Sequence, residues 1–142
     1  HGLVPSINPL LREINFGKWE GLTHTEISAS YDQDVNRWIS NPFQFAPTDG
    51  DTLLEVCKRM QQFLKDISSC YKKDDEVIVV SHGGAIRSIL HHFMGLGLEQ
   101  VWELRVDNAS VSLLEMHEAG FKANLVNSIE HLSSKNDDTG VC

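Results

Sequence analysis

A histidine stands at the end of an apolar run and is followed by two glycines, in the order Val77-Ile78-Val79-Val80-Ser81-His82-Gly83-Gly84-Ala85-Ile86-Arg87. The glycines let backbone approach a ligand without an intervening Cβ. A helix starting at this point offers free N–H groups and the positive end of its dipole to an anion, and phosphate is the natural occupant. An imidazole at that place suits phosphoryl chemistry. It can donate a hydrogen bond to a phosphoryl oxygen in flight, or act as base or nucleophile. Ser81 is a poor nucleophile candidate, because V-V-S-H-G is not a G-x-S-x-G elbow.

The matching carboxylate is Glu13. It lies in Glu13-Ile14-Asn15-Phe16-Gly17-Lys18-Trp19-Glu20-Gly21, a loop rich in glycine and aromatics. A partly desolvated carboxyl there can hold a proton for a leaving group. Glu20 is the alternative. On the residues alone, a plain salt-bridged role for Glu13 stays open. Phe16 and Trp19 read first as loop or core anchors. Asp51-Thr52 reads as a helix cap with a secondary reach toward substrate. Asn108 opens a strand, and Arg87 stands one helical turn past the glycines.

The elements that must position these groups follow from periodicity. Thr23 with Glu26 forms a capping box for a helix to Ser30, and a second short helix holds Val35, Trp38 and Ile39. Pro42, Pro47 and Gly50 make the next stretch a loop. A long helix over about 52–71 carries Leu53, Val56, Met60, Phe63, Leu64 and Ile67 on one stripe. Residues 76–80 read as a central strand covered on both faces. A helix over about 84–94 ends at Gly95, and 98–102 form a helical turn. Ser110 to Met116 and Phe121 to Val126 read as two strands joined as a hairpin. This pattern predicts an α/β fold, a three-layer sandwich with a mostly parallel central sheet that is under-supplied at its N-terminal end. Residues 1–132 form the domain portion, and 133–142 a polar flexible tail.

Composition narrows the function. The chain has 142 residues, a formal net charge of −8 and no run of apolar residues long enough to span a bilayer. Such a balance argues against nonspecific nucleic-acid binding but not against a small phosphorylated ligand in a local pocket. Cys57, Cys70 and Cys142 form no close-spaced pair, and the N-terminal residues do not read as a signal peptide, so a reducing, cytoplasmic setting is expected. Adjacent His91 and His92 point in different directions on a helix, so no metal site is expected. No cofactor is expected either, and SHGG lacks the G-x-G-x-x-G of a dinucleotide fold.

Four blocks, in order, resemble the histidine phosphatase superfamily, the phosphoglycerate-mutase-like group. They are Leu11-Arg12-Glu13-Ile14-Asn15-Phe16-Gly17-Lys18-Trp19-Glu20-Gly21, then Gly50-Asp51-Thr52-Leu53-Leu54-Glu55-Val56 with Arg59, then Val79 to Gly84 with Ile86-Arg87, and Asn108-Ala109-Ser110-Val111. The first block is similar to the alpha-ribazole phosphatase branch. The resemblance implies phosphomonoester hydrolysis through a phosphohistidine. It implies Glu13 as proton donor to the leaving alcohol, and His82 as the second histidine, which stabilises the transferring phosphoryl group. It further implies Gly83, Asp51, Thr52 and Asn108 near the substrate, with no metal. Relatives carry Glu-Ser where this chain has Asp51-Thr52.

The family's nucleophile is a histidine in an Arg-His-Gly motif at the end of a first strand, far upstream of the acid. Only twelve residues precede Glu13 here, and His1-Gly2 has neither the arginine nor the strand before it. The stretch is expected to be the C-terminal two thirds of such an enzyme. It should be inactive alone, and either self-associate or pair with a missing N-terminal segment. Mutase-like phosphotransfer is the nearest rival, disfavoured by the short segment between Gly21 and Gly50. A noncatalytic phosphate- or partner-binding module is the second.

Overall fold

The computed structural model describes residues 2–132 other than 73 and 119, so His1, Cys142 and the expected tail lie outside the described residues. Three helices make the bulk of the fold. They are α1 (His24–Ser40), α2 (Leu53–Cys70) and α3 (Gly83–Met94), followed by a hairpin of β1 (Val111–His117) and β2 (Gly120–Ser128).

Helices α1 and α2 start where their sequences provide for it. Thr23 and Glu26 complete a capping box on α1, and Thr52 and Glu55 complete another on α2. Such caps satisfy N–H groups that have no acceptor within the helix, and each is worth about 1 kcal/mol. The cap hydrogen bonds from Thr52 hold the Glu55 carboxyl below its ordinary value. The two helices expected between Thr23 and Ile39 run together as α1 across a non-helical residue, Tyr31. At the end of α3, Gly95 takes the left-handed conformation, φ 63°.

The core sits between α2 and α3. Leu53, Val56, Met60, Phe63 and Leu64 on the α2 stripe meet Ala85 and Ile89 of α3, with Ile14 and Val101 closing the cluster. Each large side chain removed from water in this way contributes roughly 1.5–3 kcal/mol. Leu114 and Phe121 of the hairpin pack onto the same cluster. The second aromatic group is Trp38, which meets Phe16, Trp19 and Trp102 at ring centroid distances of 5.8, 5.7 and 4.7 Å.

The sheet departs from the sequence expectation. Among the described residues it has two strands, β1 and β2, paired antiparallel. A three-layer sandwich around a mostly parallel sheet is therefore not what these residues build. Residues 76–80, expected as the buried central strand, belong to no ladder and lie exposed, with Ile78 and Val80 each at 83%. The reason is partner supply. A parallel strand needs neighbours for its N–H and C=O groups, and a crossover connection to reach them. Here β1 and β2 satisfy each other locally, and nothing else in the described chain forms a strand beside 76–80. An apolar period-2 surface is left on Val77 to Val80, with Val111 and Leu113 of β1 exposed as well. No helix among the described residues is long and apolar enough to cross a membrane.

Candidate active site

The site is built around the loop of residues 12–15, which runs between the N-terminal ends of α2 and α3. Glu13 is half-buried there. Its Oε2 accepts the Gly84 N–H at 3.0 Å, and its Oε1 accepts the Ala85 N–H at 3.0 Å and the Ile14 N–H at 2.9 Å. Gly84 and Ala85 belong to the first turn of α3, where backbone N–H groups have no acceptor inside the helix. The carboxylate therefore caps α3 across 71 residues of sequence. Gly84 must be glycine for this approach, because a Cβ would lie 2.7 Å from Oε1 of Glu13 and 3.1 Å from Ile14.

This arrangement corrects one sequence expectation. The sequence places an external anion on the N–H groups following His82, yet two of them, those of Gly84 and Ala85, donate to the protein's own Glu13 carboxylate. Among the described residues the Gly83 N–H has no hydrogen bond. His82 is the N-cap residue of α3, in extended conformation (φ −118°, ψ 164°), with no side-chain cap bond and an exposed side chain. The imidazole is thus free toward solvent, directly beside the turn that Glu13 holds.

The second wall is the loop before α2. The Asp51 N–H donates to the Asn15 carbonyl at 2.8 Å, and Asp51 Oδ2 accepts the Asn15 N–H at 3.2 Å. Asp51 also lies 3.6 Å from the Arg12 guanidinium. Gly17 packs so closely on this loop that a Cβ would lie 2.2 Å from the Thr48 carbonyl, and its φ of +54° independently favours glycine. Asp51 is therefore brought to the Glu13 loop. The Thr52 hydroxyl is taken by the cap, donating to Glu55 Oε2 at 2.8 Å and accepting the Glu55 N–H at 3.1 Å.

Asn108 is not drawn in. It is exposed, and among the described residues it makes no hydrogen bond to Glu13 or His82. The turn before β1 is pinned by its neighbour Asp107, which accepts the Asn127 amide at 2.9 Å and donates its own N–H to Asn127 Oδ1 at 2.7 Å. The Asn127 hydrogen bond, helped by Arg105, lowers the Asp107 carboxyl below its usual range. The alternative acid, Glu20, accepts the Phe16 N–H at 3.1 Å and serves the loop. Trp19 is buried, in keeping with an anchoring role. Arg87 donates to the Leu104 carbonyl at 3.0 Å and lies over Trp102, so it holds the segment after α3.

Arg59 is a residue that the motifs brought in without a role. Its Nη1 donates to the Leu10 carbonyl at 2.7 Å and to the Arg12 carbonyl, and its Nη2 to the Glu13 carbonyl at 3.0 Å. The sequence did carry a signal. Arg59 stands one turn after Val56 and one turn before Phe63, on the flank of the apolar stripe, where a guanidinium needs nearby acceptors.

Comparison with known proteins shows the family of the chain. Residues 1–129 match the model of the histidine phosphatase superfamily (branch 1), and the chain belongs to that family. It is 31% identical over 106 residues to phosphoserine phosphatase 1 of Hydrogenobacter thermophilus, covering 75% of this chain and 50% of that protein. It is 25% identical over 126 residues to the adenosylcobalamin/alpha-ribazole phosphatase of Escherichia coli, covering 89% of this chain and 62% of that one. The solved structure of Bacillus stearothermophilus YhfR superposes with a TM-score of 0.80 at 25% identity, over 88% of this chain and 62% of that one. The chain thus spans between 50% and 62% of the length of these relatives.

Proposed function

We propose that the complete protein carrying this chain is a phosphomonoester hydrolase working through a phosphohistidine. The observation that carries the reading is the Glu13 carboxylate held on the first turn of α3, one residue beyond His82 and Gly83. A leaving alkoxide needs a proton from a group fixed close to the phosphorus. The transferring phosphoryl group needs donors already in place for its charge. Glu13 supplies the first from its protonated form, with the proton on Oε2, which accepts one N–H and keeps a lone pair, while Oε1 accepts two. His82 and the Gly83 N–H supply the second, and Asp51 is tied to the Glu13 loop through Arg12 and Asn15.

The nucleophile is proposed to be a histidine outside these 142 residues. The seven histidines include none preceded by arginine and followed by glycine. On this reading the 142 residues alone are inactive. The alpha-ribazole and phosphoserine phosphatases are models for substrate size and charge, a small phosphomonoester, with the alpha-ribazole branch favoured by the form of the Glu13 loop.

The experiment is product analysis. The complete protein is incubated separately with alpha-ribazole phosphate, phosphoserine and 3-phosphoglycerate. Release of inorganic phosphate from at least one ester is expected. Migration of phosphate between hydroxyls without release would replace the hydrolase with a mutase. Binding of phosphate without turnover would replace it with a noncatalytic module.

A further inference from the structure

Four consecutive carbonyl groups, two in the turn Pro9–Leu11 and two in the Glu13 loop that follows it, are each held by a side chain from elsewhere in the chain. Arg59, on α2, takes those of Leu10, Arg12 and Glu13. Ser81, two residues before α3, donates its hydroxyl to the one between, Leu11, at 2.8 Å. We infer that Arg59 and Ser81 are positioning residues that set the place of the Glu13 carboxylate by clamping the backbone on which it is carried. The inference rests on the reading of Glu13 as proton donor and extends it to the groups that aim it.

The loop needs such a clamp. Residues 12–16 form no helix or strand, so their polar backbone groups have no ladder to join. The short helical turn Pro9–Leu11 before them ends with the Arg12 N–H on the Pro9 carbonyl at a long 3.4 Å. A planar guanidinium offers five N–H donors in a fixed fork and can serve several carbonyls at once. Bonds from a cation are roughly twice as strong as neutral ones. Burial and the nearby Arg12 push the Arg59 guanidinium below its ordinary value, while Asp51 and Glu13 oppose the change. The buried Arg59 Nε has no partner among the described residues. The side chain is therefore oriented by the carbonyl row, at the expense of its remaining donor.

The clamp also ties the loop to both helices that frame the site. Arg59 fixes it to α2, Ser81 fixes it to the entry of α3, and the carboxylate closes the triangle on Gly84 and Ala85. If the backbone of Arg12 and Glu13 drifts, the carboxylate leaves the α3 turn. Gly84 and Ala85 then lose the acceptor that Glu13 gives them among the described residues, and their amide protons report the loss directly.

The test is amide hydrogen exchange on the complete protein, comparing wild type with Arg59→Met, Arg59→Lys and Ser81→Ala. With the clamp removed in Arg59→Met, exchange at Gly84 and Ala85 is expected to quicken about fivefold, the factor that corresponds to ~1 kcal/mol for the one hydrogen bond each amide loses. Ile89 and Leu90, buried in α3, are expected to keep their protection and so verify the fold. Arg59→Lys, which keeps the charge and loses the fork, should give an intermediate increase, and Ser81→Ala a smaller one. Unchanged protection at Gly84 and Ala85 in folded Arg59→Met overturns the inference. If that variant fails to fold, unchanged protection in both Arg59→Lys and Ser81→Ala overturns it equally.

A second readout separates positioning from general weakening. Arg59→Lys should lower hydrolysis of an alkyl phosphomonoester more than that of a nitrophenyl ester, because only the first leaving group needs the proton. Equal loss on both esters overturns the positioning role. If Glu13→Gln itself shows no such selectivity, the reading of Glu13 as acid fails instead, and the exchange result then stands or falls by itself.

Discussion

Glutamine in place of Glu13 is expected to lower kcat of the complete protein on an alkyl phosphomonoester by about 10²–10⁴-fold, the range of a positioned general acid. An alkoxide is a poor leaving group and needs the proton as the P–O bond breaks. A nitrophenolate carries its own charge, so hydrolysis of the nitrophenyl ester is expected to change far less. The measurement is kcat on the two esters, for wild type and variant. Geometry adds a second consequence. Both carboxylate oxygens of Glu13 accept N–H groups, Oε2 from Gly84 and Oε1 from Ala85 and Ile14. Glutamine must turn its amide NH₂ toward one of those donors, so it also loosens the α3 turn. Equal loss on both esters would assign Glu13 to capping α3 and remove it from proton transfer.

Alanine in place of His82 is expected to lower kcat by about 10²–10³-fold on both esters, the cost of removing one preorganised donor to a developing oxyanion. An imidazole acting on the phosphoryl oxygens, as proposed for His82, gives a loss that does not depend on the leaving group. Folding should hardly change. The side chain is exposed and makes no cap bond, and α3 is capped by Glu13 across the fold. Thermal unfolding and kcat measured on one preparation separate the two effects. A large loss of stability with a proportionate loss of activity would give His82 a structural role.

The two predictions differ in how far sequence alone could reach. The α2 helix was legible almost to the residue, because its apolar stripe and its Thr52–Glu55 box are local signals. The hairpin was legible from alternation, and its inward residues Leu114 and Phe121 do reach the core. The sheet was not, because membership of a ladder is decided by partners. Val77 to Val80 have the composition of a central strand, yet the described chain supplies nothing beside them, and they stand exposed.

The candidate site divides in the same way. His82 and the glycines announce themselves by type and order, and Glu13 by its setting. The bond that joins them was not legible, since nothing in sequence shows a carboxylate returning across 71 residues to cap a helix. Ser81 attracted notice as a hydroxyl beside a histidine, but its hydrogen bond to the Leu11 carbonyl makes it part of the scaffold. Asn108 stands at the turn before a strand and is placed near substrate by the resemblance, and in the described residues Asp107 and Asn127 do the local work.

The central claim is that Glu13 and His82 serve a phosphohistidine formed on a histidine outside these residues. Rapid quenching of the complete protein during turnover, followed by mapping of the protein-bound phosphate, tests it most directly. The account predicts a phosphate linkage that is stable in base and labile in acid, on a histidine other than the seven in this chain, and no linkage when the 142 residues are used alone. A phosphate mapped to His82, or steady turnover by the 142 residues alone, would contradict it.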